Sequence, residues 1–360
     1  MDLTPYLKDL ENRIDILEEE RLENDWLQFA DGLCREPFFS PKRKISKASV
    51  DYPAMYVNDA FENENWMVYH QLKMVNEELA GGKGNLLCVR PNYGTGIIPS
   101  MFGAEMFYLA RELDTLPCTR TLADGEDGVR TILRENKMYF DAGLSAKVFR
   151  FAQHYHDAVA PYPKIRRCVH VYNPDLQGPF PLSDMLWGGD IYIAMYEDEA
   201  LVHEMLSFMT DVYLRFTAKW HALYPPFDKG HSVEWGLLHR GGTMIRNDAA
   251  MNISGNMYHD FVMPYDRRII DALGGGVHFC GRGDHYIEHV CAIENIGCIN
   301  LSQPHLNDME KIYSRSIDCG IPIIGMPEDE ISRAVAQGRD LKGKVHSGAS
   351  LAVWESKPKG

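Results

Sequence analysis

Short apolar runs that alternate with longer stretches of helical periodicity constrain this chain more than any other feature. The runs predict strands over Leu86–Val89, Cys168–Tyr172, Thr243–Arg246, Val277–Cys280, Cys298–Leu301, Ile321–Ile324 and around Val345. The clearest of the helices between them spans Glu197 to Tyr224, where Leu201, Met205, Phe208, Val212, Phe216 and Trp220 recur on one face. Another follows Asp284, a good N-cap residue, and stops near Gly297. Parallel strands need crossover connections, so this alternation predicts an α/β fold with a parallel sheet. The number of units fits a closed (β/α)₈ TIM barrel, with a doubly wound sheet as the other arrangement.

Ahead of the barrel pattern, Thr4 to about Phe29 reads as one amphipathic helix, with Tyr6, Leu10, Ile14 and Leu17 at helical spacing. Cys34 to Tyr56 is rich in Pro, Ser and Lys and reads as irregular connection. The expected organisation is therefore a helical extension over residues 1–55 and a barrel over 56–360. Such an extension covers a barrel end or a neighbouring subunit, as in a homodimer.

Composition narrows the function classes. A net charge of −14 with no basic face argues against a nucleic-acid partner, whose phosphates demand one. No apolar run is long enough to span a bilayer, and Met-Asp-Leu-Thr-Pro lacks the segments of a secretion signal. The eight cysteines include no CxxC pair, so the expectation is a cytoplasmic protein with reduced thiols and no membrane partner.

Several strands run straight into polar residues: Arg90, Asn92 and Tyr93; Asn173 and Asp175; Asn247 and Asp248 after Arg246; Ser302 and Gln303. In a barrel these strand ends share one face, where chemistry lies, although βα loops are also polar for solubility alone. His278 and Cys280 are two apart on one strand and so face the same side. An imidazole and a thiolate together are half of a zinc site, although both residue types also occur in cores. Downstream, His285-Tyr-Ile-Glu288-His289 matches a zinc-protease string, but a five-residue match arises readily by chance. Gly94-Thr-Gly96 fails as a dinucleotide fingerprint because Pro99 takes the third glycine's place.

Taken together, three segments resemble the uroporphyrinogen decarboxylase superfamily. Gly178-Pro-Phe-Pro-Leu-Ser-Asp-Met-Leu-Trp-Gly-Gly189, ahead of the long helix, is similar to a conserved decarboxylase segment. Arg246-Asn-Asp-Ala-Ala-Met-Asn-Ile-Ser254 with Pro264-Tyr265 looks like the next barrel unit, and Val277-His-Phe-Cys-Gly281 resembles the metal strand of the corrinoid-linked methyltransferases. The resemblance covers about residues 60 to 355, as ordered landmarks, and implies a (β/α)₈ barrel with a deep cleft at the strand C-termini.

The superfamily implies two chemistries. Its decarboxylases grip substrate carboxylates with an arginine-rich N-terminal motif that is missing here; Asn92 stands where their catalytic aspartate does, and Met185 where their cleft tyrosine does. An amide cannot exchange a proton as a carboxyl does. Its methyltransferases hold zinc through His-x-Cys and a later cysteine. His278 and Cys280 match the first two ligands, whereas Ala349 stands at the third, leaving Asp248, Glu234 or His346 to complete the site. The resemblance thus implies a methyltransferase that takes a methyl group from a corrinoid protein or a small donor to a thiol or similar acceptor, with zinc. Asp248, Asn92 and Tyr93 are then the catalytic candidates, and Arg90, Asn173, Arg246 and Gln303 the substrate-binding ones. The alternatives are a lyase acting on uroporphyrinogen or another polycarboxylate, and a barrel that binds a tetrapyrrole or corrinoid without turnover.

Overall fold

The computed structural model describes residues 1–61 and 63–348. They form two compact units. The first comprises Met1–Ile16, Lys44–Gly82 and Leu87–Pro225; the second comprises Leu17–Arg43, Lys83–Leu86 and Pro226 onward.

In the first unit, β1 (Cys88–Val89) pairs in parallel with β4 (His170–Val171), and β2 (Met106–Phe107) pairs antiparallel with β3 (Cys118–Thr119). The long helix expected from the sequence runs from Glu199 to His221. Asp198 starts it, its carboxylate accepting from the Leu201 backbone N–H at 3.2 Å. Leu201, Met205, Phe208, Val212, Phe216 and Trp220 are all buried, as their spacing requires.

The second unit carries the parallel sheet. Its strands are β7 (Thr243–Arg246), β8 (Gly275–Phe279), β9 (Ile296–Leu301), β10 (Ile323–Met326) and β11 (Val345–Ser347). They lie side by side in chain order, every pair parallel. Helices such as Met263–Leu273 and Glu328–Ala336 make the crossovers. An antiparallel hairpin, β5 (His231–Glu234) and β6 (Leu237–Arg240), precedes the sheet. All five residues of β8 are buried, which is how a strand covered on both faces reads as an apolar run. The fold is thus mixed α/β with a parallel sheet, as expected.

Two local expectations are corrected. The N-terminal segment is not one helix but two, Thr4–Arg13 and Ile16–Ala30, because Ile14 is extended with ψ 123°. The break lies where the chain leaves one unit for the other: Leu7, Leu10 and Ile14 are buried in the first, Leu22, Trp26 and Phe29 in the second. Leu17, counted in the apolar stripe, is 77% exposed. Asp284 does not cap a helix either; its carboxylate accepts from Arg282 at 2.7 Å and from the Asp308 backbone N–H at 3.3 Å. The helix beyond it is only Ile287–Cys291. His285 therefore lies outside that helix, which removes the helical His-x-x-x-His face that the protease string needs.

Candidate metal centre

Sheet register assembles the site. Arg246 of β7, His278 of β8 and Asn300 of β9 are register partners, so their side chains stand in one row on one face. Asn300 is fully buried, and its Nδ2 donates to the Ile324 carbonyl at 2.7 Å. That bond turns its Oδ1 toward His278 Nδ1, 2.5 Å away, where it can only accept. The proton of a neutral His278 thus sits on Nδ1, and Nε2 is left with the lone pair, the arrangement a ligating histidine needs.

Two further side chains meet that nitrogen. Cys280 Sγ lies 3.4 Å from His278 Nε2, and Asp248 Oδ1 lies 3.4 Å from the same atom. All three candidate ligand atoms fall within 4.8 Å of one another. With Zn–N and Zn–O near ~2.0–2.1 Å and Zn–S near ~2.3 Å, a tetrahedral zinc sets its ligand atoms about 3.4–3.6 Å apart. Both edges at His278 have that length and the third is no longer than 4.8 Å, so this donor set can hold the metal. Cys280 Sγ also donates to the Ser302 hydroxyl at 3.4 Å, a contact that can reverse once the thiol gives up its proton. The His278 side chain is 6% exposed and that of Asp248 37%, so the cluster opens toward solvent on the carboxylate side.

Charge points the same way. Burial alone would lower the basicity of His278, but the hydrogen bonds and negative charge of Asp248 and Cys280 outweigh it and push its pKa up to about 10. A field that holds a proton on a buried imidazole is one that favours a cation at the same place.

The remaining candidates fall around this centre or in the other unit. Gln303 Oε1 accepts from the Gly281 backbone N–H and shapes the loop beyond Cys280. Glu234, a candidate third ligand, is fully buried against Arg246 with Oε2 2.6 Å from Nη2, and accepts from the Met244 backbone N–H at 3.1 Å. His346, the other, sits among Trp26, Phe29 and Phe39 with Nδ1 accepting from Gly325 N–H; burial pushes its pKa down to about 3. Asp248 alone of the three joins His278 and Cys280. Ala349 lies outside the described residues. His285 Nε2 donates to the Ile253 carbonyl at 2.8 Å, apart from the cluster. In the first unit, Arg90 pairs with Asp175 at 3.2 Å, Asn173 Oδ1 meets His221 Nε2 at 3.0 Å, and Asn92 and Tyr93 are buried.

Sequence reading missed Asn300, Asp266 and Trp235. Asn300 was visible as a lone amide inside an apolar strand. Asp266 is fully buried and accepts from Asn247 Nδ2 at 2.6 Å and from the Tyr258 hydroxyl at 2.8 Å, which fixes the residue next to Asp248. Nothing in its surroundings in the sequence marks it. Trp235 packs its ring 5.2 Å from that of His278 and 4.7 Å from the Arg246 guanidinium.

The Glu234–Arg246 pair yields a stability prediction. Glu234→Leu should cost about 3–5 kcal/mol in urea denaturation, because it strands a buried guanidinium. Adding Arg246→Met should recover most of that loss. A single variant as stable as the wild type would show that the pair is solvated.

A mixed α/β protein with a His–Cys–Asp cluster at its strand ends is the class that fold and site define. No protein-family model matches the chain, and no curated protein does. Among solved structures it is similar to a methyltransferase from Methanosarcina mazei, with a TM-score of 0.61 over 92% of this chain and 93% of that one, at 14% identity. A likeness at that identity shows the fold. No helix among the described residues is long and apolar enough to cross a membrane.

Proposed function

We propose that this chain is a zinc-dependent methyltransferase of the uroporphyrinogen decarboxylase superfamily, transferring a methyl group from a corrinoid protein or small donor to a thiol or similar acceptor. The observation that carries the reading is the convergence of three ligand atoms within 4.8 Å, with Cys280 Sγ and Asp248 Oδ1 each 3.4 Å from His278 Nε2. The methyltransferase fold neighbour supports it, as does the run of adjacent parallel strands, which suits the (β/α)₈ barrel expected from the sequence.

In this reading His278, Cys280 and Asp248 hold the metal, and the side open to solvent admits the substrate. When bound, zinc supplies Lewis acidity that lowers the pKa of an acceptor thiol. Asn300 holds the tautomer of His278. Ser302 steadies the Cys280 thiolate. The Asp266–Asn247 bond anchors the turn that delivers Asp248. Gln303, which shapes the loop beyond Cys280, is proposed to bind substrate beside the metal.

The paired arginines disfavour the polycarboxylate alternative. Arg246 is neutralised by Glu234 and Arg90 by Asp175, so neither offers an uncompensated charge to a carboxylate. Protein purified with added zinc should hold one equivalent and transfer methyl groups, and should yield no coproporphyrinogen from uroporphyrinogen under anaerobic conditions. A metal-free protein, or an Asn92-dependent yield of coproporphyrinogen, would overturn the proposal. Zinc binding without turnover would leave only the binding barrel.

A further inference from the structure

The loop of the β5–β6 hairpin is two residues long, since Glu234 and Leu237 are paired across it. Those residues, Trp235 and Gly236, both have positive φ, +54° and +79°. Two-residue loops of this kind favour Asn-Gly or Gly-Gly, because a side chain on the first residue crowds the backbone. Gly236 suits its place: a Cβ there would come within 2.7 Å of the Leu86 carbonyl. Trp235 does not, being a bulky residue in a left-handed conformation and only half-buried. Neither core packing nor turn chemistry accounts for an indole there.

Its contacts do. The ring lies against His278, whose Nε2 faces Cys280 and Asp248, and holds the Arg246 guanidinium on its π face. Arg246 is the register partner of His278 on the same face of the sheet. A mobile guanidinium so placed would be a competing counter-ion for the Asp248 and Cys280 anions. Glu234, adjacent to Trp235 in the chain, pairs with that guanidinium at 2.6 Å.

We propose that Trp235 is a positioning residue of the metal centre: its ring sets the plane of His278 and, with Glu234, keeps Arg246 away from the anionic ligands. The inference rests on the metal-site reading above. Backbone strain at the hairpin tip persists because the ring it places is needed there.

The test is Co²⁺ affinity of the metal-free protein, measured by competition with a chromophoric chelator, together with the Co²⁺ d–d absorption spectrum. Trp235→Phe, which keeps an aromatic face, should bind within about threefold of wild type. Trp235→Leu and Trp235→Ala should bind at least ~10-fold more weakly, the usual effect of losing a contact that orients a ligand, with an altered spectrum and an unchanged circular dichroism. If the alanine variant does not fold, the leucine variant, which keeps bulk without an aromatic face, decides. Wild-type affinity and spectrum in a folded leucine variant would overturn this inference and leave the metal site standing. Failure of the wild type to bind Co²⁺ or Zn²⁺ would instead overturn the site itself.

Discussion

Replacing Cys280 with serine is expected to reduce bound zinc by at least ~10- to 100-fold, because a hydroxyl is a far poorer zinc ligand than a thiolate. The substitution removes one of three candidate ligands and leaves His278 and Asp248, fewer than the three protein ligands a catalytic zinc ordinarily has. It adds no volume at a half-buried position, so the fold should survive, and metal content by elemental analysis reads the effect directly. His285→Ala is the control. Its ring is engaged with the Ile253 carbonyl outside the cluster, so zinc content should match wild type. Equal zinc in the Cys280→Ser and wild-type proteins would place the metal elsewhere, whatever the spacing of the three side chains.

How far the sequence foretold this centre depends on the range of the signal. Alternation along one strand is local, so His278 and Cys280 could be paired from the sequence, and β7 was found residue for residue. The sequence offers Asp248 as a strand-end group and as one of three candidates to complete the site, but choosing it over Glu234 and His346 depends on the register of β7 against β8, which no local pattern encodes. Asn300 and Trp235 were missed for the same reason: one reaches His278 across the sheet, the other from the tip of a hairpin. The N-terminal helix failed differently. Its apolar spacing is continuous through Leu17, yet Leu10 and Leu22 are buried in different units, and periodicity alone carries no mark of that division.

Asp266 supplies the other large effect, in the pH dependence of stability. Its carboxyl is fully buried, and burial pushes its pKa from 3.8 up to about 7 even though Tyr258 and Asn247 donate to it. Both donors use Oδ2; Oδ1 has no hydrogen-bond partner among the described residues, so half of the charge would go unsolvated. In the unfolded chain the group ionises near 3.8, whereas in the fold it keeps its proton to about 7. Between those values the folded state binds the extra proton, so stability falls as pH rises. The slope approaches about 1.4 kcal/mol per pH unit, for a total of about 4 kcal/mol at most, complete above pH 7 and absent below the unfolded value. Asp266→Asn cannot ionise, and its amide oxygen can still accept from Tyr258 and Asn247. Its stability relative to wild type should therefore climb between about pH 4 and 7 and level off beyond. Urea denaturation of both metal-free proteins across that range measures the difference. A difference that stays constant with pH would mean that Asp266 is already ionised in the fold, and that the Asn247 anchor beside Asp248 rests on a carboxylate rather than an acid.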